Sequence, residues 1–205
     1  MSNFYQSSLT LRGGRYVGRG GDAAYGITNT GDDTVLRAEN VVALGEGGMA
    51  NYALANGEAV AYLLGGHFTA RGWGDTYAIF NYSGSTLQAD GIVVLSESAG
   101  TYSRALQNSA SEATLNGGAF TAFGGSDARG IFNYHAGAVL RAVGVTALGQ
   151  DSVQFNYGLY NKDGVEAYLQ GGAFTGRGGT SANGLYNSDE NTLLEAHEVA
   201  ALGEN

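Results

Sequence analysis

Residues 115–124 read Leu-Asn-Gly-Gly-Ala-Phe-Thr-Ala-Phe-Gly and carry the pattern that decides the fold. Leu is followed by Gly or Ala after two positions, a large apolar residue after five, a small residue after seven, and Gly or Ser after nine. The pattern begins at Leu11, Leu36, Leu63, Leu87, Leu115, Leu140, Leu169 and Leu194. The gaps are 25, 27, 24, 28, 25, 29 and 25 residues, so the repeating unit is a pair of coils. A fixed period of this kind predicts a solenoid.

The repeat leaves no room for a linker, so we expect one domain over residues 1–205, with residues 1–10 completing a coil. The chain has 35 Gly and no Pro, yet it is 43% hydrophobic, which indicates a folded, turn-rich protein. The formal charge of -9 argues against a nucleic-acid partner. No apolar run reaches the roughly 18 residues of a membrane span, and residues 1–10 lack a signal-peptide pattern.

A second recurring element ends in Asn, with an aliphatic residue two positions before it. Stacked coils would place these side chains about 4.8 Å apart, which predicts a hydrogen-bonded ladder. The ladder residues are Asn29, Asn56, Asn81, Asn108, Asn133, Asn161 and Asn187. With no helical period anywhere, the chain is predicted to be all-β, a single parallel β-helix of about eight coils of roughly 25 residues, in four two-coil repeats, with no evident end caps.

The two-coil unit has a packing explanation. Odd coils combine Gly with a large ring, as in Gly117 and Phe120, whereas even coils combine Ala with a smaller residue, as in Ala142 and Val145. We treat each pattern as one strand with a bend near Gly118. A smaller side chain at one position of the pattern is compensated by a larger side chain at the other, so each layer fills the same cross-section.

Charged residues also alternate between coils. In the shared pattern Arg71 of an odd coil occupies the position of Leu44 in an even coil, and Glu46 follows in the turn. These pairs are expected to set register more than stability, since exposed ion pairs contribute little.

In its Leu pattern and its column of Asn residues, the chain resembles the right-handed parallel β-helix proteins. This group contains pectate-lyase-like enzymes, adhesin passengers and phage tailspikes. The resemblance covers the whole chain, implies the β-helix fold and names no subfamily.

No constellation of residues predicts an enzyme, a cofactor or a metal site. His67, His135 and His197 occupy different positions of different coils and would not converge. Asp22 and Asp75 recur only every other coil, about 9.6 Å apart, which is too far to share a calcium ion held at about 2.3 to 2.6 Å.

Four aromatic residues stand immediately before ladder Asn residues and point away from the ladder. They are Phe80, Phe132, Tyr160 and Tyr186. We expect these rings to stack along the sheet face, with lateral association or glycan contact as the functional alternatives. Neighbouring small residues such as Gly130 suggest a shallow groove beside them.

The two ends of the chain match each other. Residues 1–4 look like a copy of residues 49–52, and residues 201–205 stop in the middle of an even coil. Joined tail to head, they would continue the repeat and place Glu204 opposite Arg19 of the next copy. A contact that does not close generates a filament. The expected interface comprises Met1, Asn3, Phe4, Leu11, Arg19, Leu194, Val199, Leu202, Glu204 and Asn205.

We therefore predict a structural protein whose partner is itself, assembled head to tail into an extracellular or cell-surface fibre. The alternative is a stretch of a longer β-helical adhesin or tailspike-like glycan-binding protein. A polysaccharide-active enzyme is less favoured.

Overall fold

Strands make up every regular element of the protein in a computed structural model that describes residues 1–205. The first eleven are β1 (Ser2–Phe4), β2 (Ser8–Arg12), β3 (Arg15–Arg19), β4 (Ala23–Glu39), β5 (Val42–Glu46), β6 (Ala50–Leu64), β7 (His67–Gly72), β8 (Asp75–Tyr82), β9 (Thr86–Asp90), β10 (Val93–Ser98) and β11 (Tyr102–Ser109). The others are β12 (Glu112–Asn116), β13 (Ala119–Gly124), β14 (Asp127–Tyr134), β15 (Val139–Val143), β16 (Thr146–Gln150), β17 (Phe155–Lys162), β18 (Glu166–Gln170), β19 (Ala173–Arg177), β20 (Ser181–Ser188), β21 (Leu193–His197) and β22 (Ala200–Glu204).

Each coil contributes one strand segment to each of three rows. The Asn row contains β1, β8, β11, β14, β17, β20 and the first parts of β4 and β6. The Leu row contains β2, β9, β12, β15, β18, β21 and the last parts of β4 and β6. The Phe row contains β3, β5, β7, β10, β13, β16, β19 and β22. Every pairing is parallel and joins neighbouring coils, which confirms the predicted parallel β-solenoid of about eight coils. No helix of the length and hydropathy of a transmembrane span is present.

The predicted single column of leucines is wrong. Leu115 lies opposite Ala89 and Ala142 in the neighbouring coils. The leucines of even coils fall in a second column two residues earlier, where Leu140 lies opposite Ala113. From the second coil onward, each of two adjacent inward columns therefore alternates Leu with Ala from coil to coil. In any one of these coils, one of the columns has Leu and the other has Ala. The alternating gaps between pattern leucines reflect this two-residue offset, while the coils themselves are about 27 residues long.

The corner between the Leu row and the Phe row has two residues in odd and even coils alike, and the second of these residues differs in size between them. Each pattern spans two strands with a two-residue corner between them, rather than one strand with a bend. Odd coils have two Gly there, such as Gly117 and Gly118, both with positive φ (64° and 93°). Even coils keep a left-handed first residue, such as Gly144 at φ 63°, and place Val145 second. Gly tolerates these left-handed conformations better than other residues do.

Volume is exchanged between neighbouring coils, but not between the predicted positions, because Phe120 lies opposite Ala147 and Ala142 lies opposite Leu115. Phe120 is fully buried, and a Cβ on Gly118 would come within 3.5 Å of its ring. The next coil places the smaller Ala147 opposite Phe120, and Val145, which is fully buried at the corner, supplies the missing volume. Dense packing across the layers requires this compensation.

The Asn ladder is also confirmed, and it contains one more residue than predicted. It runs through Asn3, Asn29, Asn56, Asn81, Asn108, Asn133, Asn161 and Asn187, with Nδ2–Oδ1 distances of 2.7 to 2.8 Å. Each Nδ2 points toward the later coil. Asn108 Nδ2 also donates to the carbonyls of Ser111 at 2.9 Å and Val139 at 3.1 Å. The ladder therefore ties each coil to the next and has a direction, with an acceptor end and a donor end.

Acid and base residues share one column of the Phe row, which corrects the predicted placement of Glu46 in a turn after Leu44. Glu46 lies directly opposite Arg19 and Arg71. Its carboxylate accepts from Arg19 Nε at 2.5 Å and from Arg71 Nη2 at 2.7 Å. The guanidinium groups of Arg71 and Arg19 lower the pKa of Glu46.

Candidate functional site

The outer face of the Asn row carries the predicted aromatic strip. Phe80, Phe132, Tyr160 and Tyr186 do share one outward column, but Gln107 interrupts it between Phe80 and Phe132. Ring centroids are 5.4 Å apart for Phe132 and Tyr160 and 5.0 Å apart for Tyr160 and Tyr186. The rings are therefore in contact beyond the interruption, but they are tilted by 41° and 78° to each other rather than stacked as predicted. Lateral or glycan contact through these rings stays a prediction.

The small residues beside the strip do not border a groove. A Cβ on Gly130 would lie 2.7 Å from the amide nitrogen of Leu148 in the Phe row. Ala78, at the equivalent position, is fully buried. These residues face inward and are small because two backbones approach each other there.

A second outward column lies four residues before each ladder Asn. It begins with Tyr25, Tyr52 and Tyr77, whose rings stack with centroids 4.8 and 5.3 Å apart. Arg104 and Arg129 occupy the next two positions. The two guanidinium groups therefore extend a stack of planar side chains. The sequence patterns described above do not single out either Arg, although their constant spacing from Asn108 and Asn133 was an available signal.

Arg129 is held by a carboxylate and by rings. Its Nε donates to Asp127 Oδ1 at 2.7 Å, and its Nη2 donates to the second oxygen of the same carboxylate. The guanidinium carbon is 4.0 Å from the ring centroid of Phe132 and 4.4 Å from that of Tyr160. Asp127 is thus committed to a buried pair with Arg129, an arrangement that a one-sided substitution would leave with an uncompensated charge.

Arg104 is less well satisfied. It is only 9% exposed, and its guanidinium lies over the rings of Tyr102 at 4.4 Å and Phe132 at 4.7 Å. Its Nη1 donates to Gln107 Oε1, but its Nε is buried with no hydrogen-bond partner. No other buried side-chain nitrogen or oxygen in the chain lacks a partner. Burial lowers the pKa of Arg104, and the neighbouring Arg129 adds to that shift.

These residues line an open cavity of about 560 Å³. Its walls include Tyr102, Phe132 and Tyr160, and Arg104 and Arg129 contribute its positive charge. Its volume falls within the range of about 300–1,000 Å³ that small-ligand sites show. The arrangement can hold an anion beside flat apolar surfaces.

The first coil forms a second candidate surface. Asn3 pairs with Asn29, so it is the first residue of the ladder. This overturns the predicted likeness of residues 1–4 to residues 49–52, because Asn51 occupies a different position at the start of its strand. Asn3 Oδ1 accepts from Ser7 Oγ at 2.8 Å and is the acceptor end of the ladder. Of the other predicted interface residues here, Leu11 is buried, whereas Met1, Phe4 and Arg19 are exposed.

The last coil forms the opposite surface. All five residues of β22 are exposed, including Leu202 and Glu204, and Asn205 follows them. Leu194 and Val199 are partly buried against the core. Glu204 accepts from Arg177 Nε at 2.7 Å. Asn187 is the donor end of the ladder, and its Nδ2 bonds only Thr192 O, at 3.2 Å.

The three His residues do not come together. His67 lies in β7 and His197 in β21, while the Nδ1 of His135 is 2.8 Å from Ser109 Oγ. No three His, Asp or Glu side chains lie close enough to hold a metal ion. Asp127 is the ion-pair partner of Arg129.

Comparisons with models of protein families, with curated proteins and with solved structures give no match. The resemblance thus stays at the level of the parallel β-solenoid architecture that the structure displays.

Proposed function

We propose that this protein is a structural subunit that stacks end to end with copies of itself into a β-solenoid filament. The observation that supports the proposal is the match between its last coil and its first. An exposed strand edge offers unpaired backbone groups to another chain. β22 presents such an edge, with apolar core positions beside it, and β3 of a second copy has the strand length and side chains to cover it.

The core columns continue across such a junction. Large and small residues alternate along the inward column of the Phe row, which ends at Ala201 after Phe174. Tyr16 of a second copy would follow Ala201, as Phe68 follows Ala43 within the chain. In the Leu row, Leu11 of the second copy would follow Ala196 in the same way. The alternation of volumes is preserved at both positions.

The polar columns continue as well. Asn187 Nδ2, the donor end of the ladder, would meet Asn3 Oδ1 of the second copy. Glu204 would lie between Arg177 and the second copy's Arg19, as Glu46 lies between Arg19 and Arg71 within the chain. Such a heterologous contact does not close on itself, so it generates a filament. Eight coils per copy would advance it by about 38 Å.

The junction between two copies would lack a connecting segment. Asn205 follows Glu204, which pairs with Arg177, and Ser2 occupies the position of Tyr186. Counterparts of residues 179–184 would be missing, and these form a turn and the start of a strand. Residues 179 and 180 lie in the turn, where a gap is tolerated, but the gap also shortens the strand of the Asn row at the junction to the three residues of β1.

The substitution Ala201→Asp tests the proposal. Ala201 faces the core but is exposed in the last coil, so the isolated subunit should fold normally. Within a filament the carboxylate would be buried against Tyr16 without a partner, which costs several kcal/mol. The matched control is Ala200→Asp, one residue earlier on the outward face and next to Arg15 of the second copy. We expect filaments by negative-stain electron microscopy from the wild-type protein and the control, and monomers from Ala201→Asp.

Wild-type protein that stays monomeric at high concentration would contradict the proposal and favour the alternative, in which further coils of a longer adhesin-like chain cover these edges. Filaments from Ala201→Asp as long as those of the wild type would contradict it too. An extracellular or surface location stays a prediction, which antibody labelling of intact cells would check.

A further inference from the structure

We propose that the cavity at Arg104 and Arg129 binds an acidic saccharide, with the Arg104 guanidinium holding its carboxylate or sulfate group and the Tyr rings of the cavity packing against the sugar. The cavity lies on the side of the solenoid, on β11, β14 and β17, so the proposal does not depend on end-to-end stacking.

The positive charge at this site is opposite in sign to the net charge of the protein. The chain has a formal charge of -9, yet two Arg residues lie opposite each other on neighbouring strands, at a strand spacing of about 4.8 Å. Asp127 is the one carboxylate that lines the cavity, and both its oxygens accept from Arg129. Lys162, at the rim, lies 3.8 Å from Asp189. One guanidinium thus has no carboxylate, and an incoming anion would supply it.

Arg104 lines the cavity and is incompletely hydrogen-bonded. It is 9% exposed, and its Nε is the single buried side-chain donor without an acceptor. A Tyr occupies the equivalent position at Tyr25, Tyr52, Tyr77 and Tyr157, so packing of the column does not require an Arg there. Guanidinium groups bind carboxylate and sulfate groups through paired charge-assisted hydrogen bonds.

The rings favour an anion that is carried on a sugar. Phe132 is buried beneath the two guanidinium groups, so the partly exposed rings of Tyr102 and Tyr160 form the apolar walls of the same cavity. Apolar faces of this kind pack against the C–H faces of sugar rings, while the Tyr hydroxyls can bond sugar hydroxyls. A volume of about 560 Å³ accommodates a saccharide unit.

The test is calorimetric titration of the 205-residue protein, at low salt, with glucuronate, glucose and acetate. We expect glucuronate to bind at least about tenfold more tightly than either glucose or acetate, because only glucuronate combines the charge with the ring. The variant Arg104→Gln, which keeps an amide near Gln107, should lose about tenfold or more of the glucuronate affinity. Arg141→Gln is the matched control, because Arg141 also lies over a ring, Tyr168 at 5.1 Å, but is exposed and outside this cavity.

Thermal unfolding gives a second readout. Arg104→Gln should unfold at the same temperature as the wild type or higher, since it removes an unsatisfied donor and the repulsion by Arg129. If that variant does not fold, Arg104→Tyr, which introduces the residue found at the equivalent position Tyr77, replaces it, with the same expected loss of glucuronate binding. Equal binding of glucuronate and glucose, equal binding of glucuronate and acetate, no measurable glucuronate binding, or full affinity in Arg104→Gln would each overturn the proposal.

Discussion

Ala147 and Ala201 occupy the same column of the solenoid but have different surroundings. Ala147 is 1% exposed between Phe120 and Phe174, whereas Ala201 has Phe174 on one side only and is exposed. The residue type, strand and register are the same, so the difference lies only in whether another coil covers the residue. A coil of this protein therefore obtains its core from its neighbours, as in other solenoids.

The largest expected effect is the contrast between Ala147→Asp and Ala201→Asp in the free energy of unfolding. At Ala147 the carboxylate would be buried without a partner, and we expect a loss of about 3–5 kcal/mol. At Ala201 it would be solvated, and we expect a change within about 0.5 kcal/mol. Urea unfolding followed by circular dichroism measures both, under conditions where the protein is monomeric. Equal losses would show that the last coil is not the open surface described here.

Substitutions in the Asn ladder should show the same contrast between an interior coil and the last coil, with a smaller difference in the free energy of unfolding. Asn108 is fully buried, accepts from Asn81 and donates to Asn133, Ser111 and Val139. Asn108→Ala leaves several buried groups unpaired and should cost about 2–4 kcal/mol. Asn187→Ala at the exposed donor end should cost less than about 1 kcal/mol in the monomer. The same urea experiment checks this, and a cost at Asn187 matching that at Asn108 would contradict the prediction.

Added salt should change the association between copies more than it changes the stability of the single subunit. Each copy carries a formal charge of -9, and screening shortens the range of repulsion to about 10 Å at 0.1 M ionic strength. We expect light scattering from assembling protein to rise with sodium chloride, while the midpoint of unfolding of the monomeric Ala201→Asp variant changes little. Scattering that falls as salt rises would count against repulsion between whole copies as the barrier to assembly.

The smallest expected effect concerns the Tyr stack at alkaline pH. Burial raises the pKa of Tyr52 above its usual value near 10, and the neighbouring Tyr25 and Tyr77 add to the shift. The phenol therefore ionises later in the folded protein than in the unfolded chain, so its contribution to stability is present below about pH 10 and is lost as the pH rises above it. Tyr52→Phe should reduce the loss of stability above pH 10 more than Tyr25→Phe, because Tyr25 is 41% exposed. Thermal unfolding as a function of pH measures this, and equal effects of the two substitutions would contradict it.

The fold could be predicted from the sequence because each coil repeats its chemistry, but the register could not. A shift of two residues returns every side chain to the same face of a strand, so both alignments satisfy the alternation of inward and outward residues. The two alignments differ in the residue that they place at the second corner position, where Gly118 lies in one coil and Val145 in the next. Counting from the leucines therefore placed Leu115 and Leu140 in one column, although each lies opposite an Ala.

The candidate sites were predictable to different degrees. The match between the ends was visible because Glu204 and Arg19 belong to a repeating column, although residues 1–4 were aligned wrongly. Arg104 and Arg129 were not visible as a site, because each is a single replacement of Tyr in a column that the Leu pattern does not include. Their burial, and the unpaired Nε of Arg104, depend on rings from three coils and become apparent only in three dimensions.

The most direct test of the account is the axial repeat of assemblies formed by the wild-type protein, measured by electron microscopy and fibre diffraction. Head-to-tail stacking in register predicts a strand spacing of about 4.8 Å along the axis and a subunit repeat of about 38 Å, both absent from Ala201→Asp. Monomers at every concentration, or assemblies with the strand spacing but no subunit repeat, would contradict it.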